Sequence, residues 1–101
     1  MTEAQRWFAQ HSAGAPAPLR QRAAGYLAAE PATSGVAEQL AESAAAALDR
    51  VLAHPGDRRV ALDLLAADAL VTLALKARAA EDPAGLAEFA AGLRRARGAP
   101  R

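Results

Sequence analysis

The chain has no cysteine and no isoleucine, only four aromatic residues, and almost no excess of charge of either sign. Each shortage excludes something. Without cysteine there is no disulfide, no thiolate nucleophile and no cysteine-ligated zinc or iron–sulfur centre. With isoleucine absent and valine limited to four, the β-branched residues that favour strands are scarce. Thirty-one alanines, thirteen leucines and eleven arginines favour helix instead. A net charge of +1 gives no overall reason to expect nucleic acid or an anionic membrane surface as a partner. A length of 101 residues suits a single domain with one core.

Hydrophobic runs of membrane-spanning length are also missing. The longest apolar stretch, Val60 to Leu75 (VALDLLAADALVTLAL), is short of the roughly 20 residues a span needs, and Asp63 and Asp68 interrupt it. The N-terminal MTEAQRWFAQ has neither the basic start nor the apolar run of a signal peptide. The expectation is a cytoplasmic protein without membrane association.

That same stretch organises the rest of the chain. Thirteen of its sixteen residues are apolar, and no helical phase gives it a continuous polar side. Val60, Leu64, Val71 and Leu75 form one ridge, and Leu62, Leu65 and Leu73 lie on the other side. Such a helix needs cover on most sides, so the pattern predicts a central buried helix over about residues 57–80, with Leu64 inside.

The flanking signals predict four more helices. Thr2 and Gln5 have capping-box spacing, which starts a helix over about 2–13. A Pro/Gly linker follows, and Pro18 opens a second helix over about 18–30, stopped by Pro31. Thr33 or Ser34 caps a third, over about 34–53, whose apolar half (Val36, Leu40, Ala44, Leu48) opposes a polar half. The turn His54-Pro55-Gly56-Asp57 makes the third and fourth helices antiparallel neighbours, with Asp57 as cap. Asp82 and Pro83 start a fifth over about 82–97. The fold class is therefore all-α, a five-helix, mostly up-and-down antiparallel bundle around the central apolar helix. Helices three to five form its core, and the two short helices pack across the open side of helix four.

Residues with chemical potential are few. Asp63 and Asp68 lie about 140° apart on a helix and so cannot chelate one ion from the same face. Arg59, one turn back, is a ready partner for Asp63, and a structural role fits both acids. His11 and His54 have no ligand spacing, and Glu38 and Glu42 share a helix face without a histidine. Ser12, Ser34 and Ser43 lie in no nucleophile context, and no glycine-rich phosphate loop occurs. The expectation is a protein that is not an enzyme and holds no metal or cofactor.

Residues 64–75, LLAADALVTLAL, resemble a core helix of the polyprenyl synthases, which often carry a run like AGDALLTLAF. The resemblance covers about an eighth of the chain. The aspartate-rich DDxxD motifs that define that family are absent, so no site residue carries over from it.

The leading functional expectation is a small interaction protein that self-associates, as a homodimer, because five Ala-rich helices leave more apolar surface than they can cover. Trp7, Phe8 and Tyr26 are the candidate interface residues, since aromatics are enriched at interfaces. The alternative is a small DNA-associated regulator using Arg94, Arg95 and Arg97 as anion contacts. The all-apolar helix after the HPGD turn disfavours a helix-turn-helix, which needs a polar recognition face. A third class is a carrier of an apolar ligand between helices.

Overall fold

The structure, a computed structural model, describes residues 1–28 and 34–98, with side chains as far as Arg95. It is all-α, with five helices and no strand among the described residues. Helix α1 (Glu3–His11) starts as its capping box requires: Thr2 Oγ1 accepts the Gln5 N–H at 3.1 Å, and Gln5 Oε1 accepts the Thr2 N–H at 2.7 Å. It buries Ala4 and Phe8. Helix α2 (Ala17–Ala24) has Pro18 in its first turn. It stops at Gly25 rather than running on to residue 30. The amides of Tyr26 and Leu27 bond the carbonyls of Ala23 and Ala24, a tighter pattern that brings both side chains back to the bundle. The last part of the predicted span, 29–30, lies outside the described residues, as does Thr33.

Helix α3 (Val36–Ala53) has Gly35 at its N-cap, not Ser34, whose carbonyl instead accepts from Gln39 Nε2 at 2.7 Å. The turn after it needs its glycine, because Gly56 has φ +77°. Asp57 then accepts the Arg59 amide at 2.8 Å and opens a single 3-10 turn, Arg58–Val60, before α4 (Ala61–Glu81). The Arg59 side chain folds onto Asp57, and this hydrogen bonding holds the carboxyl below its ordinary pKa. Asp82 caps a second 3-10 turn, Pro83–Gly85, by accepting the Gly85 amide at 3.1 Å, and α5 (Leu86–Gly98) follows.

Helices α3 and α4 form an antiparallel hairpin that packs along most of its length, with α2 against α4, α1 against α3, and α5 on α4. The buried sides of the hairpin are mostly alanine: Ala37, Ala44 and Ala47 on α3, and Ala66, Ala67, Ala74 and Ala77 on α4, with Leu40 and Leu70 between them. Small side chains let two axes approach at the close end of the ~8–10 Å range.

The position of α4 agrees with the sequence reading, but its cover does not. It packs against α2, α3 and α5, yet Leu64 is 51%, Leu65 55% and Val71 37% exposed. Of the ridge predicted to lie inside, Val60 is buried and Leu75 half-buried, while Leu64 and Val71 face outward. The close approach to α3 selects the alanine side of α4 for burial together with Leu70, and leaves Leu64 and Leu65 exposed.

Candidate functional site

Two features of the hairpin have the shape and chemistry of a site, one on each face. On the outer face, α3 and α4 leave a groove of about 430 Å³. Leu48, Leu64, Val71 and Leu93 line it, and Glu42 and Asp68 are its polar members. Leu64, Asp68, Val71 and Leu75 recur at helical spacing, so they form one line along α4. Leu52, 66% exposed at the end of α3, extends the apolar surface beyond the groove. Neither Glu42 nor Asp68 has an ion-pair partner among the described residues, and the same holds for the exposed Arg58 and Arg94.

On the inner face, Asp63 is fully buried. The Tyr26 hydroxyl donates to its Oδ1 at 2.5 Å, and Arg22 Nη1 donates to the same oxygen at 3.4 Å. Arg50 Nε lies 3.7 Å from Oδ2, which has no hydrogen bond of its own. The carboxylate therefore joins the α2 segment and α3 to α4. Burial, then the hydrogen bond to Asp63 and its negative charge, push the Tyr26 phenol above its ordinary pKa, against the opposing pull of Arg50 and Arg22. Arg59, the partner expected from sequence, is elsewhere. The α-helix begins only at Ala61, so Arg59 sits in the 3-10 turn and closes on Asp57 instead.

A half-buried ion pair ties down α5. Arg78 pairs with Glu38 of α3 through Nη2 and places its guanidinium 4.5 Å from the centre of the Phe89 ring. The α5 helix is thus held at one end, beyond which the outer groove opens.

The residues singled out from sequence do not assemble into one site. Phe8 is 4% exposed within the chain's own core, so it has no surface to offer a partner. Trp7 is partly buried and stacks on His11 with ring centroids 3.8 Å apart, while His11 Nδ1 lies 2.9 Å from the Trp7 carbonyl oxygen. Tyr26 is engaged with Asp63. Arg94 is exposed, Arg95 pairs with Glu88 at 3.2 Å, and the Arg97 side chain lies outside the described residues. Asp68 is exposed at the outer groove, far around the helix from Asp63. Sequence reasoning missed Arg22 and Arg50 altogether, although a carboxylate inside an apolar helix signals that such partners must exist.

Among the described residues no group of three or more histidine and acidic side chains is placed to hold a metal ion, and no helix is long and apolar enough to cross a membrane. No protein-family model matches the chain, and no curated protein or solved structure is detectably similar to it.

Proposed function

We propose that this protein acts by self-association rather than catalysis, as a homodimer formed through the outer face of the α3–α4 hairpin. The observation that carries the reading is the exposure of Leu64 and Val71 in an apolar groove, with Leu52 exposed beyond it. Contiguous apolar surface of this kind marks an interaction site. A second copy is the occupant because one surface supplies both halves of the contact. Its groove accepts side chains and its projecting leucines supply them, which is the self-complementarity a twofold interface requires. The charges agree: among the described residues Glu42 and Asp68 at the groove have no ion-pair partner, nor do Arg58 at the start of the α4 segment and Arg94 next to Leu93. A partner copy brings arginines to the carboxylates.

Sedimentation equilibrium tests this. The expected result is a species of twice 10.4 kDa that dissociates on dilution. Leu64→Glu and Val71→Glu are expected to yield folded monomers, and Trp7→Ala is expected to leave the dimer intact. A single 10.4 kDa species at ~100 μM overturns the reading, by the concentration dependence of weak dimers. If that monomer instead binds a hydrophobic dye in a manner abolished by Leu64→Glu, the groove belongs to an apolar ligand.

A further inference from the structure

We infer that the cleft over Asp63 is a binding site for the phosphate group of a small molecule, held between the guanidiniums of Arg22 and Arg50. The cleft is open and has a volume of about 650 Å³. Gln21, Arg22 and Tyr26 come to it from the α2 segment, Arg50 from α3 and Leu62 from α4. It stands on the opposite side of the hairpin from the outer groove, and nothing in it depends on dimerisation.

Two cations converge there on one carboxylate that satisfies neither. A charge-assisted bond from a guanidinium to a carboxylate closes to about 2.7–2.9 Å and is often bidentate. Here the contacts are single and long, 3.4 Å from Arg22 and 3.7 Å from Arg50. Asp63 Oδ1 is already taken by the Tyr26 hydroxyl. Each guanidinium therefore keeps most of its five N–H donors, and the two side chains remain 43% and 54% exposed at the cleft. Their like charges hold together because Asp63 is buried beside them, and the site still carries one net positive charge.

The donor geometry selects the ligand class. A carboxylate has two oxygens, which one guanidinium fork saturates. Two forks with the Gln21 carboxamide present donors from three side chains, which suits the three terminal oxygens of a phosphate monoester. The cleft is larger than a bare phosphate, and Leu62 and the Tyr26 ring offer apolar surface to the remainder of the molecule.

Inorganic phosphate titrated into the ¹⁵N-labelled protein at constant ionic strength is the test. The expected result is a saturable shift of the backbone amides from Gln21 to Tyr26 and around Arg50 and Leu62. Arg22→Gln and Arg50→Gln should each weaken binding about tenfold or more, the usual loss for a charged hydrogen-bond donor. Arg94→Gln should leave it unchanged. Arg22→Lys keeps the charge and the attraction to Asp63 but loses the fork, so it should weaken phosphate binding in a protein that still folds. Asp63→Asn removes the competing negative charge and should tighten binding several-fold, an effect opposite to that of damaging a structural contact. Shifts that never saturate, shifts scattered over the surface, or binding that survives both Arg22→Lys and Arg50→Gln would each overturn the assignment.

Discussion

The two faces of the α3–α4 hairpin are built from the same few residue types and meet opposite fates. Toward α1 and α2, alanines, Leu40, Leu70 and a carboxylate are sealed from solvent. Away from them, Leu52 and Leu64 are each more than half exposed, and α5 covers that side incompletely. Hydrophobicity alone would reverse this choice, since full burial of a leucine is worth about 1.5–3 kcal/mol and an alanine methyl less than one. Close approach decides otherwise. Small residues let two long helices meet along their length, and the dispersion attraction summed over that length outweighs the burial that a few leucines forgo. Those leucines remain available to a partner.

The largest effect separating the faces should come from Leu70→Ala. Leu70 is fully buried, so the change should destabilise the fold by about 2–5 kcal/mol in urea unfolding. A loss below about 1 kcal/mol would mean that the inner face is not packed as described.

Tyr26→Phe is expected to cost about 1 kcal/mol, for the hydrogen bond to Asp63 that it deletes. It should also remove a pH dependence. The phenol's folded pKa is raised, so the folded state binds the proton more tightly. The stabilisation is complete below the unfolded pKa, near 10, and is lost as pH rises through the higher folded value. Urea midpoints measured from about pH 8 to 11 should therefore fall more steeply for the native protein than for the Phe variant.

The smallest intrinsic effect belongs to Leu64→Ala. At 51% exposure it should cost less than about 1 kcal/mol when measured on monomer at high dilution. The cost should grow with protein concentration if the outer face pairs. A concentration-independent loss of several kcal/mol would place Leu64 inside the monomer, and the two faces would no longer differ.

Much of the fold is legible in the sequence because its punctuation is local. The Thr2 box, Pro18, the HPGD turn with Asp57, and Asp82 with Pro83 each act within a few residues, and each opens or closes a helix where its pattern places one. The orientation of α4 is not legible, because a helix apolar nearly all round carries no polar side to mark water. Its phase is set by α3, which offers Ala37, Leu40, Ala44 and Ala47 to be matched. The inner cluster is half legible. Asp63 announces a need for partners, but Arg22 and Tyr26 lie 41 and 37 residues away in sequence and no spacing rule reaches them. Bulk alone makes Trp7, Phe8 and Tyr26 resemble contact residues. In a chain so poor in bulk, Phe8 is needed to fill the core and Tyr26 to satisfy a carboxylate.

The turn at Gly56 has a kinetic consequence. It joins α3 to α4 across seven residues, 54–60, the last three already in the 3-10 turn, whereas α2 and α3 are separated by eleven, 25–35. Loop-closure entropy grows with loop length, and local contacts form fastest, so the hairpin should assemble before α1 and α2 dock. For that interval both of its faces are bare, and a second hairpin can meet either one. Only the inner face carries Asp63 without Tyr26 and Arg22, and an apolar partner laid over it would bury a carboxylate poorly matched by Arg50 alone. The charge thus guards the unfinished side of the molecule until α2 arrives. Asp63→Leu should accordingly lower refolding yield more steeply as protein concentration rises, as measured by the recovered soluble fraction.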